Sequence, residues 1–205
     1  MAFIEETLTA SGITKIAGVD EAGRGPCAGP LVVAAVILKD RASPALAKVR
    51  DSKALSEKVR ESLFEVIKEQ ALAYSIIEIS VEEIDSVGLH KSNIEGMRRA
   101  VSGLEITPEY VLTDGYAIPG LATPNLAVWK GDQVALCISA ASILAKVYRD
   151  RKMRELDQIY PEYGLASHKG YISAAHTAAI AKYGVKDFHR KSFSNIAEQL
   201  KEQGR

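Results

Sequence analysis

The segment Leu31–Leu38 is the feature of this sequence that most constrains its fold, because all eight side chains are apolar. Residues 16–20 form a second run that is almost as apolar. A strand with one exposed face alternates polar and apolar residues, whereas a strand covered on both faces is apolar throughout. We therefore expect two central strands of a covered sheet, paired as a hairpin across the Gly- and Pro-rich segment 21–30.

The rest of the chain predicts further strands and several helices. Strands are expected at 73–80, 110–113 and 126–129, and helices at 56–72, 92–104, 138–159, 173–184 and from about 195. This arrangement predicts an α/β fold with a mixed sheet flanked by helices. The sequence pattern changes after Pro161 from long strands and helices to short helical segments. We therefore predict one domain at 1–160 and a small C-terminal helical extension at 161–205.

Composition excludes several classes of protein. With 47% hydrophobic and 25% charged residues, the 205-residue chain is typical of a globular protein with one well-formed core. No apolar run approaches the ~20 residues of a membrane span, and the acidic N-terminus does not resemble a signal peptide. Cys27 and Cys137 form no Cys-x-x-Cys pair, which disfavours a zinc site and predicts reduced cysteines in a cytoplasmic protein.

Charge is unevenly distributed although the net charge is zero. Residues 1–128 hold 13 Lys and Arg against 18 Asp and Glu, whereas residues 129–205 hold 13 against 8. A balanced charge argues against a protein that coats nucleic acid nonspecifically. The basic C-terminal part is compatible with docking of a polyanion, and chance segregation explains the same numbers equally well.

Acidic residues follow three of the predicted strands: Asp20-Glu21, Asp114 and Asp132. Strand ends lie along a common edge of such a sheet, so these carboxylates are expected to converge. Neighbouring strand residues point to opposite faces, so we expect the chain to leave strand geometry between Asp20 and Glu21, aided by nearby glycines. Asp114 and Asp132 taken alone are ordinary turn residues.

The four acids together predict a metal site. Ligands that are all oxygen favour Mg²⁺ or Mn²⁺, and two such ions ~3.5–4 Å apart are suited to hydrolysis of a phosphodiester. We therefore predict that Asp20, Glu21, Asp114 and Asp132 are catalytic and bind two metal ions. Asp150 is a rival for the fourth acid, but its place beyond the middle of a long helix favours a structural ion pair.

Several short motifs occur in one order along nearly the whole chain. They are 20–25 (DEAGRG), 51–53 (DSK), 113–115 (TDG), 130–132 (KGD), 139–146 (SAASILAK), 149–150 (RD), 168–171 (HKGY) and 189–193 (HRKSF). In these motifs the chain closely resembles ribonuclease HII, the bacterial type 2 ribonuclease H. The resemblance implies a ribonuclease H-like sheet and a metal-dependent endonuclease that cuts the RNA strand of RNA/DNA hybrids.

The resemblance also implies a more specific activity and a set of contacts. The enzyme would nick duplex DNA on the 5′ side of single ribonucleotides, leaving 3′-hydroxyl and 5′-phosphate ends, in ribonucleotide removal and RNA primer processing. By the same likeness, the four acids bind the metals. The backbone of Gly23, Arg24 and Gly25 contacts the ribose 2′-hydroxyl, and Tyr171 stacks on the neighbouring sugar. Lys53, Ser139 and Lys146 are predicted phosphate contacts, and a monomer is expected.

Simpler interpretations exist for some of these residues. Tyr171 is compatible with a core position beneath the C-terminal segment, and Arg24 with an ion pair to an acid. The basic half of the long helix is typical of a solvated face. The four histidines show no ligand spacing and are interpreted as surface or hydrogen-bonded residues.

Two other classes of function compete with the nuclease. A nucleotide-binding protein is disfavoured because the glycine-rich loop lacks both Gly-x-Gly-x-x-Gly and Gly-Lys-Ser/Thr. A module that binds RNA/DNA without cutting it needs only the glycines, the tyrosine and some lysines. That second class leaves the four acids unexplained, because carboxylates facing phosphates weaken binding unless a metal intervenes.

Overall fold

The computed structural model describes residues 4–203, and side chains through residue 201. Its centre is a five-stranded sheet made of β1 (Ile16–Ala22), β2 (Leu31–Leu38), β3 (Ala71–Ile79), β4 (Tyr110–Asp114) and β5 (Asn125–Val128). The strand order is β3-β2-β1-β4-β5. The β1–β2 and β2–β3 pairs are antiparallel, whereas β1–β4 and β4–β5 are parallel. The predicted mixed sheet and its central hairpin are confirmed.

Helices surround the sheet. They are α1 (Ile4–Ala10), α2 (Glu57–Gln70), α3 (Val81–Val87), α4 (Leu89–Ser102), α5 (Gly131–Val134), α6 (Leu136–Ile159), α7 (Leu165–His168), α8 (Ala174–Tyr183) and α9 (Ser194–Gln203). Short 3₁₀ turns lie at Pro44–Leu46, Ser52–Ala54 and Pro161–Tyr163. The sequence did not predict α1, α3, α5 and α7, because helices of four to seven residues are too short to show a helical period.

Strand β2 is apolar at every position because helices cover both of its faces. Val32, Ala34 and Val36 belong to a hydrophobic cluster with residues of α2 and α6. Val33, Ala35 and Ile37 alternate with them and pack in a second cluster with residues of α4. Burying each valine stabilises the fold by about 1.5–3 kcal/mol relative to exposure, so the strand anchors both layers.

Helix α6 lies against β1 at very short range. A Cβ atom at Gly18 would lie 2.1 Å from the backbone carbon of Cys137, so only glycine fits there. The Glu5 carboxylate of α1 accepts hydrogen bonds from the backbone amides of Leu136 (2.7 Å) and Cys137 (2.9 Å). Helix α1 thus caps the N-terminus of α6, whose first turns face the sheet.

The basic half of α6 is paired with α2. Arg151 contacts Glu61 at 2.6 Å, and Arg154 contacts Glu57 and Glu61. Arg151 and Arg154 remain more than one-third exposed, so the interpretation of these charges as a solvated face agrees with the structure, which adds the ion pairs with α2. Acidic residues on the exposed side of α2 provide their partners, and the sequence pattern of α6 alone does not show such partners.

The segment after Pro161 packs on the loop between β1 and β2. Cys27 and Ala28 of that loop share a hydrophobic cluster with Tyr163, Ile180 and Phe188. The Arg190 amide also donates to the carbonyl of Cys27 at 2.8 Å. Across residues 4–203, we find no helix with the length and apolar character needed to cross a membrane.

Candidate active site

Asp20 and Glu21 both lie within regular strand geometry. β1 continues to Ala22, with Asp20 paired to Ala34 and Glu21 to Val33 of β2. The expectation that the chain leaves strand geometry between the two acids is wrong. Ala34 belongs to the cluster beneath α6 and Val33 to the cluster beneath α4, so the two carboxylates lie on opposite faces.

The acids share one site because they lie at the end of the strand. The parallel register of β1 and β4 pairs Val19 with Thr113, so the next positions on the two strands are Asp20 and Asp114. Glu21 follows at the rim of the sheet, where carboxylates from both faces reach the same space. We refer to Asp20, Glu21, Asp114 and Asp132 as the carboxylate edge.

Asp132 reaches this edge from a helix rather than from a strand end. β5 ends at Val128, the partner of Asp114, and a short turn leads into α5, which contains Asp132. The Gly131 amide donates to Asp114 Oδ1 at 2.7 Å, and the Ser139 hydroxyl donates to the Asp132 carbonyl at 2.7 Å. The prediction of Asp132 at a strand end is therefore corrected to a position in α5.

Electrostatics shows that the four acids are neighbours. Burial, Glu21 and Asp114 raise the pKa of Asp20 well above its ordinary value. Burial also raises the pKa of Glu21 to about 7, opposed by Arg24 and reinforced by Asp114. Burial raises the pKa of Asp132, again reinforced by Asp114. Asp114 thus acts on all three of the other carboxylates, and bringing them together costs free energy unless a cation compensates.

The residues of the carboxylate edge fit a divalent cation by their chemistry. All donors are oxygen atoms, and Glu21 Oε2 is buried without a hydrogen-bond partner. Among the described residues, no three His, Cys, Asp or Glu side chains are grouped closely enough to hold an ion as they stand. Binding therefore requires rotation of these side chains toward a shared ion, and a cation would offset their mutual repulsion.

A cavity of about 370 Å³ collects most of the predicted site. Its lining includes Asp20, Glu21, Asp114, Gly23, Arg24, Gly25, Lys53, Lys146 and Tyr171. Asp132 and Ser139 instead line a neighbouring cavity of about 600 Å³, together with Asp51. The structure thus brings three acids and most of the predicted substrate contacts together, and it places Asp132 and Ser139 in the lining of the second cavity.

The glycine turn, residues 23–25, lies directly beside the carboxylate edge. Gly23 has a φ of +102°, and a Cβ there would lie 2.1 Å from Arg149 Nε. A Cβ at Gly25 would lie 3.2 Å from the ring of Tyr171, which is 52% exposed. The interpretation of Tyr171 as a core residue is therefore wrong. Its exposed ring lies over a stretch of bare backbone.

Arg24 forms the ion pair that the simpler interpretation predicted. Its guanidinium lies 3.6 Å from Glu21 Oε1 and 4.4 Å from the ring centre of Tyr116. The side chain is therefore engaged beside the acids, and the main chain of the turn forms the surface of the cavity.

Two buried arginines hold the loop that contains the glycine turn, and the sequence analysis did not identify this role. Arg149 donates to the carbonyls of Pro30, Lys169 and Ala28, each at 3.0 Å. Arg190 donates twice to Gly29, at 3.0 and 2.9 Å, and once to Arg24 at 3.3 Å. We call Arg149 and Arg190 the arginine clamp. Because its partners are carbonyls, no acidic residue in the sequence signals it.

Burial has a measurable electrostatic effect on the arginine clamp. It lowers the pKa of Arg149 to about 10 and that of Arg190 to about 9, and repulsion between the two cations adds to the shift of Arg190. Both side chains remain charged at neutral pH. Their hydrogen bonds to carbonyls are therefore charge-assisted and stronger than neutral ones.

A histidine stack, His168, His176 and His189, supports the clamp from the C-terminal side. The His168 and His176 rings stack at 4.3 Å, and the Nε2 atoms of His176 and His189 lie 3.2 Å apart. Burial lowers the pKa of His176 and brings that of His189 to about 4. Hydrogen bonds to these rings confirm the predicted role, and the lowered pKa values of His176 and His189 favour the neutral forms of those two rings.

Asp150 occupies the predicted ion pair. Its Oδ1 lies 2.7 Å from Lys146 Nζ, and its Oδ2 lies 3.8 Å from Arg60 Nη2. The carboxylate is 3% exposed, and two cations already balance its charge. These contacts tie Lys146 to the wall of the cavity that contains the acids.

Comparison with known proteins identifies the family. The sequence profile of the family described as Ribonuclease HII matches residues 17–196. The chain belongs to the ribonuclease HII family. It is similar to ribonuclease HII of Rhodococcus opacus, with 54% identity over 96% of this chain and 87% of that protein. Ribonuclease HII of Nocardia farcinica is 55% identical over 96% of this chain and 78% of its own length.

A solved structure supports the same conclusion. The crystal structure of ribonuclease H2 from Pyrococcus horikoshii is similar, with a TM-score of 0.81 and 29% identity, covering 93% of this chain and 99% of that one. Family and fold together make this protein an endoribonuclease, a phosphodiester hydrolase with ribonuclease H activity toward RNA/DNA hybrids. The resemblance found in the motifs is confirmed.

Proposed function

We propose that this ribonuclease HII nicks duplex DNA on the 5′ side of single embedded ribonucleotides, in addition to cutting the RNA strand of hybrids. The products are a 3′-hydroxyl and a 5′-phosphate, and the cellular roles are ribonucleotide removal and RNA primer processing. The observation that carries the proposal is the glycine turn, which exposes main chain beside the carboxylate edge in one cavity.

The glycine turn supports recognition of one 2′-hydroxyl. This hydroxyl is the group that distinguishes RNA from DNA at a given nucleotide, and it both donates and accepts hydrogen bonds. Backbone without side chains approaches a sugar more closely than any side chain permits. A Cβ at Gly23 would lie 2.1 Å from the buried side chain of Arg149 on a backbone with positive φ, and a Cβ at Gly25 would crowd the Tyr171 ring at 3.2 Å.

The proposed cofactor is a pair of Mg²⁺ or Mn²⁺ ions held by Asp20, Glu21, Asp114 and Asp132. When bound, such ions polarise the phosphate, generate a nucleophile from water and stabilise the leaving oxygen. Asp20 and Asp114 occupy adjacent strands, so they define the centre of the site, and Glu21 and Asp132 complete it from the two sides. Burial and mutual repulsion raise the pKa values of Asp20, Glu21 and Asp132, and a bound cation would offset that repulsion.

The proposed phosphate contacts are Lys53, Lys146 and Ser139, and Tyr171 stacks on a sugar. Asp51 accepts a hydrogen bond from the backbone amide of Lys53 at 2.9 Å, which fixes the main chain at that position, and Asp150 binds the ammonium group of Lys146 at 2.7 Å. The Ser139 hydroxyl donates its one hydrogen to the carbonyl of Asp132, so contact with a phosphate, which only accepts hydrogen bonds, requires this hydroxyl to turn away from that carbonyl.

The proposal extends to organisation and location. Residues 1–160 form the catalytic domain, and residues 161–205 form a C-terminal helical extension that supports substrate binding through the loop it covers. The enzyme acts as a monomer, since every residue assigned to the site comes from this one chain. Both cysteines are free and buried, which suits the reducing cytoplasm.

A nicking assay tests the proposed function. The protein is incubated with a DNA duplex that carries one ribonucleotide, in Mg²⁺, Mn²⁺ or chelator. We expect metal-dependent nicking on the 5′ side of the ribonucleotide, loss of at least about 10³-fold in rate for Asp20→Asn, and an all-DNA duplex that stays intact. Equal binding in all three conditions without any cut would instead identify a binding module.

A further inference from the structure

Trp129 is an exposed aromatic residue at the rim of the carboxylate edge. It is the only tryptophan of the chain, and 82% of its surface is exposed. An indole carries a large apolar surface with one N–H donor, and covering that surface with a partner lowers the free energy. The core does not use this side chain, and none of the predicted contacts involves it.

The backbone on both sides of Trp129 is fixed around Asp114. On one side, the carbonyl of Val128 accepts a hydrogen bond from the Gly115 amide at 3.0 Å. On the other side, the Gly131 amide binds the Asp114 carboxylate, and Lys130 adopts a left-handed φ of 52° to make that approach. A non-glycine residue rarely adopts this conformation, so the turn that presents Trp129 is specified by its contacts with the acid.

The order of strands places Trp129 and Tyr171 on opposite sides of Asp114, the last residue of β4. Tyr171 lies over Gly25, which follows β1, whereas Trp129 follows β5, and β4 lies between these two strands. Neighbouring strands are ~4.8 Å apart, so Trp129 lies ~10 Å from β1 along the rim. Nucleotides of a duplex follow each other at ~3.4 Å, so this distance corresponds to about three nucleotides.

We propose that Trp129 is a substrate contact that packs its ring on a sugar of the bound duplex, about three nucleotides from the cleaved phosphate and on the side away from Tyr171. Paired bases are stacked on each other, so the sugar faces along the groove are the apolar surface that a duplex offers to an indole. Lys130, the next residue, adds positive charge for the adjoining phosphate. This inference rests on the proposed duplex substrate.

Binding is tested through the fluorescence of the single tryptophan. The Asp20→Asn protein, which does not cleave, is titrated with an RNA/DNA hybrid in Mg²⁺, and a gel shift measures binding independently. We expect emission to fall as the duplex saturates the protein, because a partner covers the indole. Unchanged emission at full saturation would overturn the inference.

Kinetics of surface variants provide the second test. For Trp129→Ala we expect KM to rise about tenfold with kcat within twofold, and for Trp129→Phe an intermediate KM, since aromatic stacking contributes on this scale. Ile159→Ala, which removes an exposed side chain at the far end of α6, is the matched control. A KM for Trp129→Ala within twofold of the parent protein would contradict the inference. Absence of cleavage by the parent protein would count against the proposed function, and the emission titration would still report on Trp129.

Discussion

Two buried polar regions lie on either side of the glycine turn, and they treat charge in opposite ways. At the carboxylate edge, like charges are brought together, pKa values rise, and Glu21 Oε2 lacks any hydrogen-bond partner. In the arginine clamp, two cations are buried to 1% exposure or less, yet all their contacts are satisfied carbonyls. The carboxylate edge therefore has the properties of a ligand-binding site, whereas the arginine clamp holds the conformation of the loop that contains the glycine turn.

The carboxylate edge and the buried histidines next to the arginine clamp also contribute to stability with opposite dependences on pH. A raised carboxyl pKa means that the folded state binds a proton more tightly than the unfolded state, so stability falls as pH rises. Burial lowers the pKa values of His176 and His189, so their contribution makes stability fall as pH decreases. Regions that bind ligands and regions that hold structure can therefore be distinguished by experiment.

The largest expected effect concerns the fourth metal-binding acid, a role for which Asp132 and Asp150 are the two candidates. Asp132→Asn is expected to lower the cleavage rate about 10³-fold, because it removes a proposed metal ligand. Asp150→Asn is expected to keep the rate within tenfold of the parent protein. It should lower the free energy of unfolding by about 1–3 kcal/mol, because Arg60 and Lys146 lose their partner.

Parallel rate measurements and urea denaturation of the two variants check this prediction. A fully active Asp132→Asn enzyme, or an inactive Asp150→Asn enzyme with parental stability, would reverse the assignment of the fourth acid.

A change in the arginine clamp is expected to have an intermediate effect. Arg190→Lys keeps the charge but cannot reproduce the three hydrogen bonds to Gly29 and Arg24. We expect the free energy of unfolding to fall by about 2–4 kcal/mol, since buried charged donors lose their acceptors. Cleavage at a single ribonucleotide should fall more than the stability change explains, because the glycine turn loses its support.

Arg151→Lys is the matched control for the clamp. Arg151 is 38% exposed and paired with Glu61 across two helices, so the change should cost less than about 1 kcal/mol and leave cleavage unchanged. Equal losses of stability in the two variants, measured by urea denaturation, would show that the clamp is no more important than a surface ion pair.

The smallest expected effect is the pH dependence of stability in chelator. Glu21, with an ordinary pKa of 4.5 and a folded value of about 7, makes stability fall as pH rises between those values. His189, with an ordinary pKa of 6.5 and a folded value of about 4, makes stability rise as pH rises between those two values. The two slopes oppose each other between pH 4.5 and 6.5.

Single substitutions at Glu21 and His189 isolate the contribution of each group to the pH dependence of the free energy of unfolding. Glu21→Gln should shift the slope of unfolding free energy toward positive values, and His189→Gln should shift it toward negative values, each by up to about 1.4 kcal/mol per pH unit. Urea denaturation at several pH values between 5 and 6.5 measures these slopes. Identical slopes in both variants would show that neither group titrates as described.

The sequence predicted the elements that depend on long periodic patterns. The continuous apolar character of Leu31–Leu38 correctly indicated a strand covered on both faces, and Ser173 and Gly184 correctly bounded α8. The site acids Asp20, Glu21 and Asp114 were predicted at strand ends, and β1 and β4 place them there. The short helix around Asp132 was not predicted, since one helical turn has no period to read.

The contacts that the sequence did not reveal are those between groups distant along the chain. Arg149 and Arg190 bind carbonyls, which every residue has, so no residue type marks their partners. Glu5 caps α6 from 131 residues away, and nothing near either segment indicates this pairing. The convergence of Asp20 and Glu21 was expected for the wrong reason, because position at a strand end matters more than the face to which a side chain points.

The loop that contains the glycine turn and Arg190, which holds it, are far apart in the sequence, and this separation has a consequence for protein synthesis. Arg190 binds the carbonyl of Gly29, a residue made 161 positions earlier. The ribosome makes the acids of β1 and β4 well before Arg190. During that interval the glycine turn beside these acids lacks the hydrogen bonds that Arg190 donates. The acids and the supported turn are combined only after residue 190 has been made, so the order of translation delays completion of the site.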